Sequence, residues 1–177
     1  MWGVEFNNNK SALLIYKDNN KEGEYRLISS YGRFCNKCAF PKTIEECSWH
    51  KFDVMERTYA IGIYYPQRRP EFKSDLLSQH ILLLKENREY AYPLGKSISL
   101  LIKELYKELI DCDLIIPIPK HKAELKKDSK GYYNQAEELA KVVADELDKH
   151  YYNDVIVQDK PKPNGWYNWY KRMTIPY

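Results

Sequence analysis

The sequence predicts an α/β fold, with a β-hairpin and a small metal-binding knuckle ahead of a parallel sheet flanked by helices. Three observations predict it. Two β-rich segments flank a turn-prone stretch near the start, and three cysteines and a histidine fall within sixteen residues. Further on, a short apolar run is followed by an amphipathic helix and a second β-rich run. At 177 residues and 44% hydrophobic content the chain can bury a core of ordinary domain size. The 30% charged fraction beside that content excludes a wholly disordered chain. No apolar run reaches the roughly 18 residues that a spanning helix needs. The opening MWGVEFNNNKSALLIYKD lacks the zones of a signal peptide, so a cytoplasmic location is expected. Among the seven glycines no two lie within six residues of each other, which excludes the dinucleotide fingerprint and the Walker A loop.

Each element has a local reason. SALLIY and EYRLIS are β-rich, and DNNKEG between them supplies the turn. TYAIGIYY reads as a strand ended by Pro66. From Ser74 to Glu86, DLLSQHILLLKE reads as a helix with a broad apolar face. Downstream of Pro93, Ile98, Leu101, Ile102, Leu105 and Leu109 repeat at helical spacing. LIIPI, from Leu114 to Ile118, has the continuous apolar character of a strand buried on both faces of a parallel sheet. Ala136, Leu139, Ala140, Val143 and Leu147 mark the next helix, with Asn134 as its cap and Glu137 completing a capping box. DVIV from Asp154 is the following strand, so strand, helix and strand form a βαβ unit.

The spacing Cys35-x2-Cys38-x8-Cys47-x2-His50 presents two ligand pairs, each on one tight turn. Two such pairs close a tetrahedron around zinc and leave no vacant position, so the metal is expected to be structural. A disulfide is disfavoured in a cytosolic protein, and a Cys-x-x-Cys redox pair leaves Cys47 and His50 unaccounted for. Buried or free thiols are the alternative reading. Cys112, just before the apolar run, is expected in the core.

The formal net charge of +3 is concentrated. Between Pro117 and Gly131 stand Lys120, Lys122, Lys126, Lys127 and Lys130 against Glu124 and Asp128. Ligands of open α/β sheets bind beyond the carboxyl ends of strands, where this loop falls. The helix opening at Asn134 adds backbone N–H donors, so an anion such as phosphate is expected there. A solvated surface turn is the alternative. At the end of the chain, Trp166, Tyr167, Trp169 and Tyr170 beside Lys171 and Arg172 offer base-stacking groups. Such a tail can equally dock on its own domain or fray.

The stretch LIIPIPKHKAELKKDSKGYYNQAEELAK resembles the central signature of the competence protein F (ComF) family, which is similar to phosphoribosyltransferases. In that family a hydrophobic strand ends in Pro-x-Pro, and a basic stretch leads to Arg-Gly-Phe-Asn-Gln at the head of a helix. Pro117, Pro119, Asn134 and Gln135 match directly. Lys130-Gly131-Tyr132-Tyr133 departs, with Lys for Arg and one extra aromatic residue. ILLLKENREYAYPLGK resembles the family's segment around a lysine, here Lys85, and the Cys35–His50 cluster sits where the family often carries a zinc module.

The resemblance spans roughly residues 35 to 158. With the hairpin and tail read from the residues, the chain divides into a hairpin and zinc module over 1–56, the partial type I phosphoribosyltransferase-like domain that the resemblance implies over 57–158, and an aromatic, basic tail over 159–177. The resemblance implies that Lys85, Lys120, Lys126, Lys127, Lys130, Gly131, Asn134 and Gln135 face a phosphorylated small molecule such as phosphoribosyl pyrophosphate or pyrophosphate, with magnesium as partner. The family's ribose-binding acid pair and Thr/Ser/Gly-rich phosphate loop have no counterpart here: there is no Asp-Asp or Glu-Asp pair and no Thr-Gly or Ser-Gly step. A shortened protein with little or no transferase activity is therefore expected. The alternative is a zinc-containing module that binds single-stranded nucleic acid.

Overall fold

In the computed structural model, which describes residues 1–28, 59–120 and 124–156, the chain opens with a three-stranded antiparallel sheet. Its strands are β1 (Trp2–Phe6), β2 (Ala12–Lys17) and β3 (Asn20–Arg26), in that order. The expected hairpin is β2–β3, and β1 adds a strand that the sequence reading left out. The turn after β1 is built by Asn7, whose Oδ1 accepts from the amides of Ser11 at 2.9 Å and Ala12 at 3.1 Å. The β2–β3 turn is tighter than DNNKEG implied. Asp18 and Asn19 take φ of 50° and 67°, which short polar side chains tolerate, and pairing resumes at Asn20.

Leu13, Ile15, Tyr25 and Leu27 project from the sheet into the main core. There they meet Leu77 of α1 (Leu76–Leu83) and Leu94 and Leu101 of α2 (Ala91–Glu104). Asp75 caps α1 by accepting from the Ser78 amide at 2.7 Å. Pro93 lies inside the first turn of α2, not upstream of it, a position where the missing N–H costs no helix bond. Residues 59–65 form no strand, contrary to the reading of TYAIGIYY. Their backbone finds isolated partners instead: the Ile61 carbonyl accepts from Ile28 at 2.8 Å, and the Tyr65 amide donates to Ser78 Oγ at 2.8 Å.

The βαβ unit is present. β4 (Leu114–Ile115) pairs in parallel with β7 (His150–Tyr151), joined through α3 (Gln135–Leu147). Between β4 and α3 runs a short antiparallel hairpin, β5 (Lys126–Asp128) and β6 (Gly131–Tyr133), where only a loop was expected. α3 packs on α2 where Gly95 approaches Val142 and the Leu139 carbonyl, buries Ala140, Val143 and Ala144, and also contacts β4 and β7.

Three further expectations are corrected. The run from Leu114 to Ile118 is not buried on both faces: Leu114 is 45% and Ile118 69% exposed. The second parallel strand is His150–Tyr151, while Val155 and Ile156 of DVIV lie exposed in a bend. The reason is the left-handed Asp148 (φ 54°) at the end of α3, which reverses the chain at once and lets pairing begin earlier. Cys112 is exposed, not in the core. Among the described residues no helix is long and apolar enough to cross a membrane. Cys35, Cys38, Cys47, His50 and the aromatic tail lie outside the described residues.

Candidate functional site

The lysine-bearing hairpin is held by a turn that its own sequence builds. Asp128 Oδ1 accepts from the Lys130 amide at 2.8 Å, and Gly131 takes a φ of 108°, which a residue without Cβ adopts freely. Arg88, just after α1, clamps this turn. Its Nε donates to Asp128 Oδ2 at 2.8 Å, and its Nη2 donates to Asp128 Oδ1 at 3.1 Å and to the Gly131 carbonyl at 3.0 Å. The guanidinium also lies 4.8 Å from the centre of the Tyr133 ring.

This arrangement has an electrostatic consequence. The Arg88 hydrogen bond, with the Lys130 and Arg88 amides, holds the Asp128 carboxyl down at about 2. Asp128 is thus engaged by Arg88, and the charges of Lys126, Lys127 and Lys130 are left to face solvent, where all three are exposed. Lys127 lies 5.4 Å from the ring centre of Tyr132, its cross-strand partner, and that ring is 69% exposed.

Lys85 comes to the same place. The Tyr133 hydroxyl donates to the Leu84 carbonyl at 2.7 Å, so the exposed Lys85 begins beside the inner edge of the hairpin. Asn134 joins the site to the sheet. Its Oδ1 caps α3 by accepting from Ala136 at 3.1 Å, and its Nδ2 donates to the Ile118 carbonyl at 3.0 Å. Lys120 Nζ donates to Gln135 Oε1 across the same junction. Asn134 and Gln135 therefore brace the strand end against the helix start, while Lys85, Lys126, Lys127, Lys130 and Gly131 gather around the clamped hairpin.

Arg88, Asp128, Tyr132 and Tyr133 were missed by the sequence reading. The Asp-Ser-Lys-Gly turn was a readable signal for the hairpin, whereas the Arg88 contact across forty residues had none. Among the described residues no group of three or more His, Cys, Asp or Glu side chains could hold a metal ion. No protein-family model matches the sequence, and neither a curated protein nor a solved structure matches it.

Proposed function

We propose that this chain is a cytoplasmic, ComF-like protein related to phosphoribosyltransferases, which binds pyrophosphate or a phosphorylated sugar and transfers little or nothing. One observation carries the reading: a lysine-rich hairpin stands at the carboxyl end of a parallel strand, beside the capped start of α3. Lys85, Lys126, Lys127 and Lys130 supply cationic donors, and the Arg88–Asp128 clamp pre-organises them. Replacing Lys126, Lys127 and Lys130 together with Ala weakens pyrophosphate binding at least tenfold by calorimetry, and the wild-type affinity falls with salt. Unchanged affinity in the triple variant removes the hairpin from the function.

Transfer requires the ribose to be positioned, and residues 1–177 hold no Asp-Asp or Glu-Asp pair to do so. Lost positioning is worth several kcal/mol, on the order of thousands-fold in rate. Incubation with phosphoribosyl pyrophosphate, magnesium and a panel of bases is expected to release no pyrophosphate above background. Turnover that disappears in Lys85→Ala restores the enzyme reading. Zinc on Cys35, Cys38, Cys47 and His50 belongs to the same proposal, as one structural ion per chain by elemental analysis.

The exposed Tyr132 ring beside Lys127 favours a second reading, a single-stranded nucleic-acid surface in which the ring stacks a base and lysines meet phosphates. Tyr132→Ala separates the two. It weakens oligonucleotide binding under the second reading and leaves pyrophosphate binding unchanged under the first.

A further inference from the structure

The parallel pair β4–β7 is covered on one side only. Along the chain from β4, Ile115 is half-buried and Pro117 buried, while Leu114, Ile116 and Ile118 are exposed by 45%, 37% and 69%. That is the two-residue period of a strand with one bare face. β7 repeats it, because His150 and Tyr152 are exposed and Tyr151 between them is not. The register sets Leu114 beside His150 and Ile115 beside Tyr151, so the exposed residues of both strands share one face. α3 covers the opposite side. Among the described residues no element lies on the bare face. Parallel sheets are ordinarily covered on both faces, and a two-stranded sheet alone is marginal.

The ends of β4 carry opposite charge. Exposed Asp111 and Asp113 precede it, and the lysine hairpin lies beyond its carboxyl end. At about 3.3 Å per residue, Asp113 and Lys120 are separated by roughly 20 Å along the chain. A two-fold axis through Ile116, normal to the strand, sets the acidic end of one copy over the basic hairpin of the other. The surface is thus complementary to itself in charge as well as in apolar character, as an isologous contact requires. Pro117 and Pro119 lack N–H groups and cannot continue a ladder, so the copies meet through side chains of the face and not by edge pairing.

We infer that the bare face of β4–β7, centred on Ile116, is the contact between two copies of this chain, packed with their β4 strands antiparallel. The inference does not depend on the anion reading. The test is sedimentation velocity of the full chain from 1 to 100 µM at low salt, with three variants. Wild type is expected to pass from monomer to dimer across this range, and Ile116→Asp to raise the dimer dissociation constant at least tenfold with an unchanged circular dichroism spectrum. The double charge reversal Asp111→Lys with Asp113→Lys, which touches no apolar residue, weakens the dimer as well. Adding Lys126→Glu and Lys127→Glu to that variant restores it. A chain that stays monomeric at every concentration overturns the inference and assigns the face to another occupant, such as residues 157–177. A dimer indifferent to Ile116→Asp overturns it too, as does a charge swap that fails to rescue.

Discussion

His80 is the residue on which the junction between sheet and helices turns. It is buried on α1, with the Tyr25 hydroxyl 2.5 Å from Nδ1 and the rings of Trp2, Tyr25 and Tyr90 around it. Burial pushes the Tyr25 phenol well above its ordinary range, so its hydroxyl keeps the proton beside Nδ1. On the other side of the ring Nε2 faces Glu22, 3.5 Å away. That carboxylate does not rescue the charged imidazole: burial, with Lys17 nearby, lowers His80 from 6.5 to about 4. Between those values the unfolded chain takes up a proton that the folded chain refuses, so stability falls as pH drops from about 6.5 to about 4 and levels off below. The expected loss is on the order of 2 kcal/mol. Urea unfolding at pH 7 and pH 4.5 measures it, and His80→Gln should flatten the dependence. Asp128 acts in a lower window, because a carboxyl held near 2 stabilises above its usual range and loses that contribution only as pH falls toward 2.

At the scale of elements, the crossing of α2 and α3 depends on one missing side chain. A Cβ at Gly95 would stand 2.7 Å from Val142 Cβ, 2.8 Å from its Cγ1 and 3.2 Å from the Leu139 carbonyl. Those partners belong to a β-branched side chain and a helix backbone, neither of which yields easily. On an isolated helix, Gly95→Ala would gain about 1 kcal/mol of propensity. Here the overpacking reverses the sign, and a net loss of about 1–3 kcal/mol is expected in denaturant unfolding. Combining it with Val142→Ala removes the Cγ1 contact but keeps the Cβ contact at 2.7 Å, so it should recover only part of the loss. Neighbouring serines serve the same close packing, since Ser97 and Ser99 return their hydroxyls to the Pro93 and Gly95 carbonyls within α2.

Across the whole molecule, one core runs from the sheet into the helices. Leu13 and Ile15 of β2 and Tyr25 of β3 are buried with Leu77, Leu94 and Leu101, so neither layer buries its apolar face without the other. Leu13→Ala is therefore expected to cost about 2–5 kcal/mol and to loosen both layers. Hydrogen exchange reads this directly: amides of β2–β3 and of α2 should gain the same increment in exchange rate. Faster exchange confined to the sheet would mean that the layers open independently.

The local pattern of this chain determined those elements whose reason is local. A broad apolar run marked α1 and helical spacing marked α2 and α3, Asn134 announced its cap, and the apolar run before an amphipathic helix announced the parallel βαβ connection. The lysines of the candidate site were legible for the same reason, since a charge cluster needs no partner to be seen. Tertiary structure decided what depends on distant partners. Tyr59 to Tyr65 has strand composition yet crosses the end of β3, because Gly62 passes where a Cβ would stand 2.5 Å from the Arg26 carbonyl. Glu137 was expected to complete the capping box, but it turns to Lys141 at 3.2 Å and Asn153 at 3.4 Å. The clamp on the hairpin joins Arg88 to Asp128 across forty residues, and the bare face of β4 exists because α3 covers only one side. Periodicity shows which face of an element is apolar. Which partner arrives to cover that face, and whether one arrives at all, is set by packing among elements far apart in the chain.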